Sequence, residues 1–247
     1  PETTGLAHYL EHIMFKGTRN FGTIDAAKEA VLLDSIQNRF EVYRTLKDSL
    51  QRRAYYQQID SLSQLAAKYF IPNEYDKLMS SIGAEGTNAY TSNDVTCYVE
   101  DIPANELENW AKIESDRFQN MVIRGFHTEL EAVYEEYNIS LGNDNRKLFA
   151  ALNAMLFPGH PYGTQTTIGT QEHLKNPSIV NIKNYFSRYY VPNNTAICMA
   201  GDFDPDKAIA IIDKYFGTWK PNPNLSQPEY APIPERTAPA DTTVVGQ

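Results

Sequence analysis

The pentad His8-Tyr9-Leu10-Glu11-His12 constrains this chain more than any other stretch of it. Thr4 offers an N-cap and Leu6, Leu10, Ile13 and Met14 recur on one side, so residues 5–15 are predicted to form a short helix. Helical residues four apart share a face, and both imidazoles can then reach one ion about 2 Å from each nitrogen. Glu11 follows His8 by one turn and is close enough to touch a metal-bound water without being a ligand. Two imidazoles do not make a catalytic metal site; a third protein ligand is needed, with the fourth position left for water. The fold must therefore press a remote segment against this helix. The plain alternative is two surface histidines beside a chance glutamate. Apolar neighbours that suit the floor of a cleft count against it.

The candidate remote segment is Glu129-Leu130-Glu131-Ala132-Val133-Tyr134-Glu135-Glu136. Glu129 and Glu136 lie two helical turns apart and share a face with Ala132 and Val133, whereas Glu131 and Glu135 point elsewhere. Alone, this reads as an acidic surface helix. With the pentad, the two carboxylates fit one metal ligand and one group supporting a ligand. Spacing does not say which is which.

The rest of the pattern predicts an α+β fold, helices flanking an antiparallel sheet. From Ile24 to about Ser81 the sequence is nearly free of glycine and proline, and its apolar residues recur at helical spacing. That predicts a long helical hairpin bending near Arg52–Tyr56. Residues 87–101 read as a strand, with Val95, Cys97 and Val99 alternating with Thr96, Tyr98 and Glu100. Helices are expected at about 103–119, 126–145 and 146–156, then a turn-rich loop at 159–163. A helix at 178–190, a strand at 194–201 and a helix at 204–216 follow. Residues 1–219 form the expected domain, 220–241 a proline-rich linker, and 242–247 the start of a following domain. Since Pro1 leads almost at once into a helix, a piece of a longer protein is expected.

Composition removes some classes of function. Among 247 residues the formal net charge is −9, which argues against nucleic acid as a partner. No apolar run approaches the roughly 18 residues of a membrane span. Cys97 and Cys198 each sit in apolar, strand-like runs and are expected as buried free thiols rather than a disulfide, so they do not fix the compartment. The compartment stays open between a bacterial periplasm or cell envelope and the cytoplasm. His127 is expected as a polar helix-start residue, His160 and His173 as loop residues, and Trp110 and Trp219 as packing residues.

Four blocks carry a resemblance: residues 5–18, residues 86–98, Glu129 to Glu136, and His160-Pro161-Tyr162-Gly163. Together, in this order, they resemble the insulinase–pitrilysin–mitochondrial processing peptidase family of zinc metallopeptidases. The resemblance implies a processing-peptidase-like metallohydrolase fold. It also implies Zn2+ held by His8, His12 and Glu136, with Glu11 as general base and Glu129 as supporting carboxylate. The strand Asn88-Ala89-Tyr90 would lie beside the metal and pair with the substrate backbone. The implied activity is zinc-dependent endopeptidase or oligopeptidase hydrolysis of peptides or unfolded proteins. The alternative is a non-catalytic peptide-binding or structural member. A second homologous half, expected on the same chain, would complete the site, leaving this piece alone weakly active or inactive. One departure stands out: 124 positions separate His12 from Glu136, more than is usual in the family. The surplus falls at about 30–80 and reads as an inserted helical hairpin.

Overall fold

A computed structural model of the chain describes residues 4–246. Helix α1 (Leu6–Ile13) opens the fold and stands at its centre. Its N-cap is Gly5, not the expected Thr4. Gly5 has φ 80°, and a Cβ there would come within 2.5 Å of the Ile168 carbonyl oxygen, so only glycine fits. Thr4 instead meets His173 Nδ1 through its amide (3.0 Å) and its hydroxyl (2.7 Å).

Helices α2 (Ala26–Thr45) and α3 (Ser49–Ala67) form the long hairpin. The bend falls at residues 46–48, earlier than the expected Arg52–Tyr56. Leu46 turns to an extended ψ of 132°, and Asp48 caps α3 by accepting from the Gln51 amide at 2.8 Å. Arg52 therefore lies inside α3, where its guanidinium donates to the Tyr43 and Leu46 carbonyls at the end of α2 (3.3 and 3.1 Å). The feet of the hairpin meet. Ile24 N donates to the Tyr69 carbonyl and Ile71 N to the Gly22 carbonyl, both at 2.9 Å. The chain thus leaves and returns at one place, which is how a long excursion can separate the pentad from the Glu129–Glu136 segment without displacing either.

After α4 (Glu74–Ser81), β1 (Glu85–Thr91) and β2 (Thr96–Asp101) pair antiparallel. The single strand expected at 87–101 is therefore a hairpin. Ser92-Asn93-Asp94 supplies turn-forming residues, and Ser92 N donates to the Val95 carbonyl at 2.8 Å. Helices α5 (Leu107–Asn120), α6 (Phe126–Leu141) and α7 (Asp144–Leu156) follow. Helix α6 stops at Leu141, short of the expected 145. Asn143 leaves the helix and caps α7 by accepting from the Arg146 amide. Four further α-helices follow: α8 (Pro161–Thr164), α9 (Gln171–Lys175), α10 (Ile179–Tyr189) and α11 (Pro205–Phe216).

The strand expected at 194–201 is extended at Thr195 (φ −126°, ψ 138°) but unpaired among the described residues. A strand needs a neighbouring ladder, and none lies alongside. Cys198 is consequently exposed rather than buried, although both thiols are free as expected. Residues 220–246 hold neither helix nor strand, and Gln247 lies outside the described residues. The class is α+β, with helices around a two-stranded antiparallel sheet among the described residues. No described helix is long and apolar enough to cross a membrane.

The main core is built around α1. Tyr9, Leu10, Ile13 and Met14 are buried against Phe40, Ile59, Phe126, Val133, Ile168 and Ile182. The Tyr9 hydroxyl donates to the Phe126 carbonyl at 2.7 Å, tying α1 to the start of α6. Two buried arginines hold the surroundings. Arg124 grips Glu29 through Nε (2.7 Å) and Nη2 (2.8 Å), and also donates to the Lys16 and Thr18 carbonyls. Arg117 pairs with Glu114 and Glu100 and lies over the rings of Tyr75 and Tyr98.

Candidate metal centre

Helix α1 carries His8 and His12 on one face, with ring centroids 4.8 Å apart. Helix α6 crosses it and brings Glu136 opposite, with Oε2 lying 3.6 Å from the Nε2 atoms of both His8 and His12. Ligands bound at 2.0–2.1 Å around a tetrahedral zinc stand about 3.3 Å apart, so this spacing suits a shared ion. Among the described residues, these three form the one group of histidine, cysteine or acidic side chains close enough to hold a metal. Exposure rises from His8 (13%) through His12 (27%) to Glu136 (49%), so the group runs from a protected floor to an open mouth.

Glu129 lies one face deeper. Its Oε1 meets His12 Nδ1 at 2.7 Å, and its Oε2 is paired with Lys16. With Nδ1 donating to this carboxylate, His12 directs its Nε2 lone pair toward Glu136. The electrostatics of the two imidazoles diverge. Burial, helped by the neighbouring His12, lowers the pKa of His8 and keeps it neutral. Burial also opposes the charged form of His12, but the hydrogen bond and charge of Glu129 outweigh it and raise that pKa. For Glu129 the same bonds, from His12 and Lys16, overcome burial and lower the pKa. His8 Nδ1 is buried with no protein partner. Two imidazole nitrogens, with His12 giving up its proton to bind, and one carboxylate oxygen are a donor set that fits Zn2+ with a coordination position to spare.

Glu11 is buried at the inner side of α1, and its charge is felt by both imidazoles. The Thr91 hydroxyl donates to its Oε2. Thr91 belongs to β1, which packs along α1. Asn88 and Tyr90 point outward from β1, while Ala89 faces the helix side with Thr87 and Thr91. The structure therefore gathers His8, His12 and Glu136 into one cluster, sets Glu129 behind it, and runs the Asn88–Tyr90 strand past the same helix. Glu131 and Glu135 are exposed and outside it.

The other histidines are occupied elsewhere. His127 packs between Tyr56 and Phe40. His160 accepts from the Tyr162 amide at the start of α8, and His173 meets Thr4. Sequence reasoning assigned no role to Lys16 or Thr91. Lys16 sits in the turn after α1, where no periodicity indicates its direction. For Thr91 a signal was present, because it shares the strand face of Ala89.

Comparison with known proteins places this geometry in context. A family model described as the Peptidase M16 inactive domain matches residues 179–245, a segment containing none of the metal-cluster residues. An uncharacterized zinc protease of Mycobacterium leprae is 24% identical over 87% of this chain and 37% of its own length. The uncharacterized zinc protease YmxG of Bacillus subtilis is 23% identical over 93% of this chain and 45% of its own. Insulin-degrading enzyme of Bos taurus is 24% identical over 95% of this chain and 19% of its own. The chain thus spans less than half the length of these curated relatives. Among solved structures, a Helicobacter pylori protease superposes with a TM-score of 0.67 at 22% identity, over 94% of this chain and 45% of that one. The first half of the Escherichia coli periplasmic protease PqqL gives 0.65 at 18% identity, over 94% and 40%. The motif blocks, the fold and these relatives point the same way, and the chain is similar to peptidases of the M16, or insulinase, type.

Proposed function

We propose that this chain is the metal-bearing part of a zinc-dependent endopeptidase or oligopeptidase, with His8, His12 and Glu136 as ligands and Glu11 as general base. The observation that carries the reading is the convergence of two Nε2 atoms and one Oε2 at 3.6 Å, with Glu129 fixing His12 from behind. When bound, zinc supplies Lewis-acid polarisation of a scissile carbonyl and lowers the pKa of water from about 16 toward 7. The chain's own residues do the rest. Glu129 holds the His12 tautomer. Glu11 accepts the proton of the attacking water and returns it to the leaving amine, a transfer typically worth about a hundredfold or more. The edge of β1 at Asn88, Ala89 and Tyr90 receives a peptide as an added strand, which selects an extended backbone rather than a particular sequence.

The relatives' greater length supports a second homologous half that encloses the substrate, carried on the same chain. A non-catalytic peptide-binding role is favoured only by the description of the matched segment at 179–245 as an inactive domain. The four chemical positions lie outside that segment, so the hydrolytic reading is preferred. The test is Glu11→Gln in the full-length protein. It is expected to keep zinc at wild-type stoichiometry while peptide hydrolysis falls by about a hundredfold or more. Cleavage at the wild-type rate would end the assignment.

A further inference from the structure

The open edge of β1 and the buried carboxylate of Glu11 meet at one residue, Thr91. The Ser92 amide donates to the Val95 carbonyl, so Ser92 and Val95 form a hydrogen-bonded pair at the hairpin end. Antiparallel pairs alternate between bonded and non-bonded types. With the observed register, Tyr90↔Cys97 and Asn88↔Val99 are then the bonded pairs, and Thr91↔Thr96 and Ala89↔Tyr98 are not. The amides and carbonyls of Ala89 and Thr91 therefore face away from β2, toward the open edge. The Ala89 amide is found there donating to the Asn88 side chain at 2.9 Å, a local substitute for a neighbouring strand.

The Thr91 side chain leaves the strand in a different direction, out of the sheet toward α1. Its hydroxyl donates to Glu11 Oε2 and lies 3.2 Å from the Thr96 hydroxyl across the non-bonded pair, where side chains approach most closely. The terminal torsion of a glutamate is soft, so an unsupported carboxylate swings easily. A proton acceptor must instead present one oxygen within hydrogen-bond reach of the water. A donor on Oε2 fixes the carboxylate plane and leaves Oε1 free to take the proton.

We propose that Thr91 is a positioning residue that couples strand addition along β1 to the orientation of Glu11; this rests on the peptidase reading above. A peptide paired to the Thr91 amide and carbonyl steadies its backbone, the backbone steadies the hydroxyl, and the hydroxyl steadies the base. The coupling acts on the step after binding, because the backbone edge that binds the peptide does not depend on the hydroxyl.

The experiment compares Thr91→Val and Thr91→Ser in the full-length protein, alongside Glu11→Gln. Valine keeps the β-branched shape and the strand edge but removes the donor; serine keeps the donor. Thr91→Val is expected to lower kcat about ten- to a hundredfold, the scale of a small misplacement of a reacting group. KM, zinc affinity by chelator competition and melting temperature should stay at wild-type values. Thr91→Ser should recover most of kcat. If valine destabilises the protein, the serine variant still decides, since near-wild-type kcat in serine supports the hydroxyl role and a loss matching valine overturns it. A wild-type kcat in Thr91→Val, or a loss confined to KM, also overturns the proposal. If Glu11→Gln is inactive in that same comparison, the peptidase reading stands while the coupling falls. If Glu11→Gln is fully active, the peptidase reading falls first.

Discussion

His8 and His12 are equivalent in spacing but not in support. His12 has a buried carboxylate on its Nδ1, whereas His8 Nδ1 has no protein partner. The difference concentrates the tuning of the cluster in one residue, Glu129, which also neutralises Lys16. Replacing Glu129 by glutamine keeps an acceptor near His12 but removes the charge that both His12 and Lys16 use. Zinc affinity is expected to fall about ten- to a hundredfold, the usual effect of losing such a supporting group. Chelator competition measures it, and an unchanged affinity would show that His12 needs no carboxylate behind it. At this scale the sequence was unusually readable. The turn spacing of His8 and His12 and the two-turn spacing of Glu129 and Glu136 already restricted which side chains could meet. Lys16 and Thr91 were not readable in the same way. Lys16 follows a helix end where no period sets its direction, and Thr91 shares the strand face of Ala89, but that face shows only that it turns inward, not that it meets Glu11.

The elements were legible in kind and less so in their ends. The α2–α3 hairpin follows from a long apolar periodicity, but its bend is set by one capping carboxylate, Asp48, which the periodicity does not register. The turn at Ser92–Val95 was likewise hidden inside a run that alternates on both sides of it. Charged residues hid a larger device. Nothing in the sequence marks Arg124 and Glu29 as a pair, yet both are buried and joined by two hydrogen bonds. Arg124 also donates to the Lys16 and Thr18 carbonyls, so it ties the start of α2 to the turn leaving α1. Arg124→Met would strand Glu29 in the interior without its cation. The expected cost is about 3–5 kcal/mol, as for other buried pairs broken from one side. Chemical denaturation of the full-length protein reads it out. A cost below about 1 kcal/mol would class the pair with surface ion pairs, against its burial.

On the scale of the whole molecule, the described residues leave apolar surface uncovered at several places, two of which matter here. One is the segment around Ile197 and Cys198, which follows the extended Thr195 and joins no ladder among the described residues. The other is α7, where Leu148, Phe149, Leu152 and Leu156 are all exposed. Long exposed apolar stretches of this kind mark surfaces that another segment covers. The chain is less than half as long as the curated relatives above, which supports a covering segment in the full-length protein. Cysteine reactivity tests this directly. In the isolated chain the exposed Cys198 should react with a thiol reagent well before Cys97, which is half-buried in β2. In the full-length protein Cys198 should be protected, because a paired strand shields it. Peptide hydrolysis should follow the same division. On the proposed reading the second homologous half supplies the opposite wall that orients the carbonyl, and misplacement on that scale costs about a hundredfold. Equal labelling of Cys198 in both forms, with equal turnover, would mean that this chain is already a complete catalytic unit and that the uncovered strand has no partner to wait for.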